Sequence, residues 1–114
     1  MIGKYQVAHL IGSTADNEFA FRSAELRLTG MGYICFAPAI YNPKTYEKCK
    51  ELIDDMCYQK LLMCDICVVV TPEKMGKQTR KRIQECKELG KPVYQFTSGV
   101  LSLMPFERWG ICND

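Results

Sequence analysis

The sequence predicts an α/β domain with a small, three-layer parallel sheet of about four strands, and three observations support this prediction. Short apolar runs rich in β-branched residues alternate with longer amphipathic stretches. The stretch 65–93 contains a strand, a loop, a helix and a second strand in succession, which makes one βαβ unit. The length of 114 residues suits one compact domain with a single core. We therefore expect a single α/β domain over residues 1–114.

Another βαβ unit is predicted in the N-terminal part of the chain. Residues 4–11 form its first strand, and the small polar residues that follow can turn and then cap a helix starting near Asn17. Gly30 and Gly32 end this helix before the second strand, residues 33–37.

The C-terminal part continues the same alternation. A long helix is predicted over residues 44–64, because apolar side chains recur along one side of it. Residues 65–70 are a short apolar run rich in β-branched residues, which suits a parallel strand buried on both faces. A helix over 78–90 and a strand over 93–96 complete the core, which spans residues 4–96. Right-handed crossovers then give the strand order 2-1-3-4 with helices on both faces.

The segment after the last predicted strand, residues 97–114, is too apolar for a free end. We expect it to pack back as a short helix and strand and to take part in a homo-oligomer contact. Its apolar residues are Val100, Leu101, Leu103, Met104, Phe106, Trp109 and Ile111.

Composition excludes several classes of protein. Hydrophobic residues at 47%, charged residues at 25% and a net charge of +2 are ordinary globular values, so no nucleic-acid partner is predicted. No apolar run has the length of a membrane span or the flanks of a signal peptide. These features predict a cytoplasmic protein without a membrane partner.

The seven cysteines are predicted to be mainly buried thiols, because their number is odd and most lie on apolar stripes. Cys64 and Cys67 form a CxxC pair that ends a helix and enters a strand, whereas a thioredoxin-type pair follows a strand and opens a helix. The single histidine, His9, is expected in the first strand with its ring hydrogen-bonded. No metal site and no cofactor are predicted.

The candidate ligand site lies where the strand order reverses, between strands 1 and 3. In open α/β sheets, ligands bind in the crevice outside the carboxyl ends of the strands at this point. The crevice should be walled by the loop after strand 1 and by the loop and first helical turn after strand 3. The candidate ligand-binding residues are Gly12, Ser13, Thr14, Asp16, Thr71, Glu73, Gly76, Lys77, Gln78, Thr79 and Arg82.

The helix after strand 3 opens with cations at a terminus where the helix dipole favours anions. Lys77, Arg80, Lys81 and Arg82 all lie within its first two turns. A phosphate or carboxylate on the free N–H groups of the first turn would relieve this arrangement, with Lys77 and Arg80 as counter-charges. The alternative is a solvated basic helix face without a ligand.

The first loop contains hydroxyls but no established nucleotide motif. Gly12-Ser13-Thr14 is neither GxGxxG nor a Walker loop. The loop lacks the internal glycine of a flavodoxin-type FMN loop. The acidic pair and strand-terminal aspartate of a receiver domain are absent as well.

The motifs resemble those of the nucleoside 2-deoxyribosyltransferase-like superfamily, including its small Rossmann-like branches. Gly76-Lys77-Gln78-Thr79 together with Gly90-Lys91-Pro92-Val93 is similar to the family pattern G-x-S-T-x-x-E-I followed by GKPV. The resemblance extends from about Tyr5 to Phe96 and implies a Rossmann-like or flavodoxin-like fold with a nucleoside-sized crevice.

In that family, a glutamate on this helix attacks the anomeric carbon of 2-deoxyribose, and an aspartate on the preceding helix assists proton transfer to the base. The resemblance puts Arg82 at the position of the glutamate and Cys57 at that of the aspartate. Arginine has no free lone pair, so it can act neither as nucleophile nor as base. No catalytic residue is therefore assigned, although Glu73, Asp54 or Glu85 could supply a carboxylate.

We therefore expect a module that binds a nucleoside, nucleotide or sugar phosphate without transferase chemistry. Arg82, Lys77 and Thr79 would contact the phosphate, and Ser13 and Asp16 the sugar. One alternative is a nucleoside 2-deoxyribosyltransferase or N-glycosidase. Another is a structural subunit of a homo-oligomer.

Overall fold

The computed structural model of the chain describes residues 1–105 and contains a five-stranded, mostly parallel sheet in the order β2-β1-β3-β4-β5. The predicted α/β class and the predicted order of the first four strands are confirmed. The strands are β1 (Val7–Ile11), β2 (Ile34–Phe36), β3 (Ile66–Val70), β4 (Val93–Thr97) and β5 (Val100–Leu103). The α-helices are α1 (Glu18–Gly30), α2 (Pro43–Lys48), α3 (Lys50–Met63) and α4 (Lys77–Glu88), and a 3₁₀ turn covers Pro72–Lys74.

Helices cover both faces of the sheet, which explains why β1 and β3 are buried along their whole length. Successive side chains of a strand point to opposite faces. Ala8 and Leu10 therefore pack against α1, whose buried side chains include Phe21. Val7 and Ile11 pack on the other face with Leu61 of α3 and Ile83 of α4. His9, between Val7 and Ile11, thus points to the face that α3 and α4 cover.

The predicted long helix over 44–64 is wrong, because the chain breaks at Cys49 into α2 and α3. Asn42 caps α2 by accepting hydrogen bonds from the backbone N–H groups of Lys44 and Thr45. Cys49 then ends α2 and begins α3 with non-helical backbone angles, φ −119° and ψ 14°. Neither Gly nor Pro marks this break in the sequence.

The sheet has one strand more than the four predicted for the core, because β5 pairs antiparallel with β4 and forms the edge of the sheet. Ser98 and Gly99 make the two-residue turn between them, both with positive φ, as hairpin turns require. The expected strand in the tail is therefore present at Val100–Leu103. The expected short helix and the apolar residues Phe106, Trp109 and Ile111 lie outside the described residues.

The end of α3 is tied to the start of β4. Lys91 donates hydrogen bonds from Nζ to the carbonyl oxygens of Leu62 and Cys64, so a cation occupies the negative end of the helix dipole. Within residues 1–105, none of the helices has both the length and the apolar character needed to cross a membrane.

Candidate functional site

A cavity of about 470 Å³ opens over the carboxyl ends of the first two strands, between the helices α2 and α3 on one side and α4 on the other. Small-molecule pockets generally measure about 300–1,000 Å³. The cavity lies at the edge of the sheet where ligands bind in open α/β folds, next to the switch between β1 and β3.

Most of the sequence-predicted site residues line this cavity. Gly12, Ser13 and Thr14 contribute from the loop after β1, whereas Gly76, Lys77, Gln78, Thr79 and Arg82 contribute from the N-terminal half of α4.

Three of the predicted residues are not part of the cavity wall. Asp16 is exposed at the end of the first loop, with φ 58°. Glu73 is exposed in the 3₁₀ turn. Thr71, a β-branched residue with φ 57°, directs the chain away from β3 into that turn.

The sequence prediction missed the residues that come from β1, from the loop after β2 and from the two helices after it. These residues are His9, Leu10, Ile11, Pro38, Ala39, Ile40, Pro43, Tyr46, Glu47, Ile53, Met56, Cys57 and Lys60, and Ala15 of the predicted first loop completes the wall. Most of their side chains are apolar, which suits the ring of a base or the carbons of a sugar. The rule that ligands bind at the switch point of an open α/β sheet predicts where the crevice lies. It does not predict which residues of α2 and α3 face the crevice.

The first turn of α4 presents backbone donors to the cavity. Gly76 is its N-cap and offers no side chain, so the N–H groups of Lys77, Gln78 and Thr79 have no side-chain capping acceptor within residues 1–105. The partial positive charge of the helix end adds to the cations of the wall, Lys60, Lys77 and Arg82. Glu47 is the one carboxylate among the lining residues, so the described wall is cationic on balance.

Arg82, one of the cations of the wall, is hydrogen-bonded to a carboxylate on a neighbouring helix. Its Nη2 donates to Oδ1 of Asp54 on α3 over 2.7 Å, and the hydroxyl of Tyr46 on α2 donates to the same oxygen over 3.1 Å. Burial and the neighbouring Asp54 raise the pKa of Tyr46, which keeps this phenol protonated as a donor. The contact joins α2, α3 and α4 around one carboxylate.

The expectation of a hydrogen-bonded ring at His9 is wrong. The side chain is 2% exposed, and neither ring nitrogen has a hydrogen-bond partner within the part of the chain that the structure describes. Oε1 of Gln78, in the same cavity wall, is likewise unpaired. Buried polar atoms are nearly always paired in folded proteins, so these atoms leave hydrogen-bonding capacity in the cavity wall for water or for a polar ligand.

The charge state of His9 follows from its surroundings. Burial, followed by the positive charges of Lys60 and Arg82, lowers the pKa of His9 to about 3. The ring is therefore neutral at physiological pH and can both donate and accept a hydrogen bond. The effect of Lys60 and Arg82 on the ring also indicates a positive potential inside the cavity, which favours an anionic ligand.

Acidification should destabilise the chain through His9. The unfolded chain takes up a proton near pH 6.5, whereas the folded chain does so only near pH 3. Between these values the unfolded state binds more protons. The free energy of unfolding therefore decreases as the pH is lowered, by up to about 1.4 kcal/mol per pH unit. Urea unfolding between about pH 7 and pH 4 measures this slope.

The variant His9→Gln supplies the control for this titration, because glutamine stays neutral throughout. Asp65 also has a lowered pKa, caused first by the backbone N–H of Val7, but its contribution is lost only below its usual value of 3.8. The dependence of the unfolding free energy on pH between about pH 7 and pH 4 should therefore be weaker in His9→Gln than in the wild type. An unchanged slope in the variant would contradict the assignment to His9.

The cysteines form no disulfide among the described residues, and no group of three or more His, Cys, Asp or Glu side chains there could hold a metal ion. Cys64, Cys67 and Cys86 are buried, whereas Cys35, Cys49 and Cys57 are half-buried. The CxxC pair thus lies in the core, away from the cavity wall.

Comparison with known proteins adds no relative: the chain matches no protein-family model, no curated protein and no solved structure. The resemblance to the nucleoside 2-deoxyribosyltransferase-like superfamily stays a prediction.

Proposed function

We propose that this chain binds a small phosphorylated molecule, a nucleoside phosphate or a sugar phosphate, in the cavity over β1 and β2. The observation that carries the proposal is the buried, unpaired ring of His9 in a cavity whose charged wall is mainly cationic. A polar ligand would provide the missing hydrogen-bond partner, and its negative charge would meet the positive potential.

The phosphate would dock at the N-terminus of α4. The free N–H groups of residues 77–79 and the ammonium group of Lys77 favour an anion there. Lys60 approaches from α3, and neither lysine forms an ion pair within residues 1–105. Two cations from different helices thus remain available to one anion.

The remaining part of the ligand would lie against the apolar wall. Pro38, Ala39 and Ile40 line one side, and Ile53 and Met56 of α3 line another. An apolar wall with few polar groups is the usual lining of small-molecule sites, where the polar groups fix the orientation. A planar base or a sugar ring suits such a wall, and the hydroxyls of the first loop can contact the sugar.

The residues that line the cavity favour a protein that binds its ligand over one that transfers deoxyribose. Arg82 lies at the proposed place of the nucleophile and is engaged by Asp54. Glu47, the carboxylate among the lining residues, is exposed on α2. A deoxyribosyltransferase would need a carboxylate held against the sugar carbon.

The structural-subunit alternative has one observation in its favour, the exposed apolar side chains. Leu52 and Met63 on α3 and Leu103 on β5 are each more than 60% exposed. A homo-oligomer and a cytoplasmic location stay predictions. Ligand binding and self-association are compatible, so only the absence of any ligand effect would favour the alternative.

A thermal-melt screen in phosphate-free buffer tests the proposal. Nucleosides, nucleoside mono-, di- and cyclic phosphates and sugar phosphates are compared on the full chain. A ligand at about 100 times its Kd adds roughly 2.7 kcal/mol to the stability, which raises Tm by several degrees. We expect such shifts for phosphorylated ligands and at least tenfold weaker binding by their unphosphorylated counterparts.

Matched lysine variants show where the phosphate docks. Lys60→Met and Lys77→Met each remove one cation of the wall and should weaken binding about tenfold. Lys81→Met removes a cation of the same helix that does not line the cavity, so its affinity should stay near that of the wild type. Equal affinities in all three variants would refute the docking site, and equal shifts with unphosphorylated ligands would refute the phosphate preference.

A further inference from the structure

The cavity wall contains a thiol that the proposed function does not use. Among the half-buried cysteines of residues 1–105, Cys57 lines the cavity, whereas Cys49 borders a separate shallow groove formed by residues 47–52. Cys35 lines neither of them, and burial raises the pKa of its thiol. Cys57 is therefore the thiol that a molecule in the cavity would meet.

Cys57 is half-buried and lines the cavity together with the cations Lys60, Lys77 and Arg82. On α3 it shares a face with Ile53, one turn before it, and with Lys60, one turn after it. Cys57 also lies one turn after Asp54 on this helix, which puts the thiol next to the contact between Asp54 and Arg82. Its sulfur forms no hydrogen bond within residues 1–105.

Reactive cysteines are generally found in electropositive, partially exposed positions, whereas buried structural cysteines are inert. The second observation is independent of the thiol. The unpaired ring of His9, which is 2% exposed, lies in the wall of the same cavity and indicates that the cavity takes up a polar molecule.

We propose that Cys57 is a modification site at which the cavity directs small anionic disulfides into a mixed disulfide with the chain. The inference rests on the proposed function, because the cations assigned to the ligand phosphate would also hold the carboxylates of the disulfide. A cleft lined by one sign of charge raises the encounter rate of an oppositely charged molecule by about 10–1,000-fold.

The reaction is a thiol–disulfide exchange. The Cys57 sulfur, after losing its proton to solvent, attacks one sulfur of the incoming disulfide, and a new S–S bond forms as the old one breaks. The other half of the disulfide leaves as a thiolate and takes up a proton. Cys57 is oxidised and the leaving half is reduced, so no further oxidant is needed.

The test compares two disulfides of opposite charge on the intact chain. Glutathione disulfide is anionic and cystamine is cationic, and both react by the same exchange. Modification at each cysteine is followed over time by peptide mass spectrometry, with Cys49 as the internal control because it is also half-buried and lies outside the cavity.

We expect the ratio of the rate with glutathione disulfide to the rate with cystamine to be at least tenfold higher at Cys57 than at Cys49. Added salt should reduce this difference, because it screens the cations of the wall. Lys60→Met should lower the ratio at Cys57 severalfold and leave that at Cys49 unchanged. Cys57→Ser should abolish the fast anion-selective modification, and Cys49→Ser should retain it.

Equal ratios at the two cysteines, or a preference at Cys57 that is insensitive to salt and to Lys60→Met, would overturn the inference. This failure differs from a failure of the proposed function. If phosphorylated ligands raise Tm but Cys57 shows no charge preference, the inference about Cys57 is refuted and the proposed function is not. If Cys57 shows the charge preference but no phosphorylated ligand shifts Tm, the proposal that the cavity binds a phosphorylated molecule is refuted and the inference about Cys57 is not.

Discussion

Replacing Gly12 by alanine is expected to lower the free energy of unfolding by about 2–4 kcal/mol. Gly12 has φ 148°, a backbone conformation that L-residues rarely adopt. A Cβ atom at this position would overlap the carbonyl oxygen of Val70 and approach Cζ of Phe21 to 3.2 Å. Val70 cannot move aside, because β3 pairs with β1 on one side and with β4 on the other.

Chemical denaturation measures this effect as a lower midpoint at an unchanged m-value. Gly30→Ala is the matched control, since Gly30 ends α1 without positive φ and a Cβ atom there meets nothing within 4 Å. The control should be neutral or more stable by up to about 1 kcal/mol. Wild-type stability in Gly12→Ala would contradict the close approach of the first loop to β3.

Gly12 also illustrates which part of the site is predictable from the sequence. The βαβ alternation and the switch-point rule place a crevice between the first loop and α4, and Gly12–Thr14 and Gly76–Thr79 do line it. These positions follow the ends of parallel strands, so their location depends on topology alone. The reason for a glycine at position 12 is a tertiary contact with Val70, which no local pattern encodes.

The break between α2 and α3 was missed for a similar reason. Tyr46 and Asp54 are eight residues apart and hydrogen-bonded. In a continuous helix they would be separated by about 12 Å along the axis, at 1.5 Å per residue. Only the bend at Cys49 allows the contact. The apolar periodicity continues through the bend, so hydrophobic pattern alone favours one helix.

His9 and the last strand depend on signals that the sequence does contain. Alternation along β1 puts His9 on the same face as Val7 and Ile11, toward α3 and α4. It does not predict whether the ring of His9 finds a hydrogen-bond partner on that face. Ser98-Gly99 is a hairpin-turn signal between two apolar runs, and it would have predicted that the expected tail strand pairs antiparallel with β4.

The contact between Asp54 and Arg82 leads to the second prediction with a large effect, in which two substitutions change phosphate affinity in opposite directions. In the structure, Asp54 neutralises a guanidinium group whose side chain is only 10% exposed. A ligand phosphate must compete with this carboxylate for Arg82. We therefore expect Asp54→Asn to strengthen phosphate binding about tenfold, because asparagine retains a hydrogen-bond acceptor without the competing charge.

Arg82→Met should weaken phosphate binding by about tenfold to hundredfold, because it removes a charge-assisted donor from the wall. It should also lower stability by about 1–3 kcal/mol, since the carboxylate of Asp54 keeps only Tyr46 as a partner among the described residues. Isothermal titration with the best phosphorylated ligand measures the affinities, and urea unfolding measures the stabilities.

An exposed ion pair of similar chemistry provides the control. Arg22 and Glu25 lie on α1, 3.3 Å apart and outside the cavity wall. Arg22→Met should change stability by about 0.5 kcal/mol or less and leave ligand affinity unchanged. The double variant of Asp54 and Arg82 then separates their coupling from their individual effects.

The sign of the Asp54→Asn effect decides the role of Arg82. Stronger binding means that the guanidinium serves the ligand and that Asp54 holds it in place until the ligand arrives. Weaker binding in both variants would mean that the pair acts as a structural tie between α3 and α4, with the phosphate held by Lys60, Lys77 and the first turn of α4 instead. Because Tyr46 shares Oδ1 of Asp54, such a tie would extend to α2 and fix the bend at Cys49.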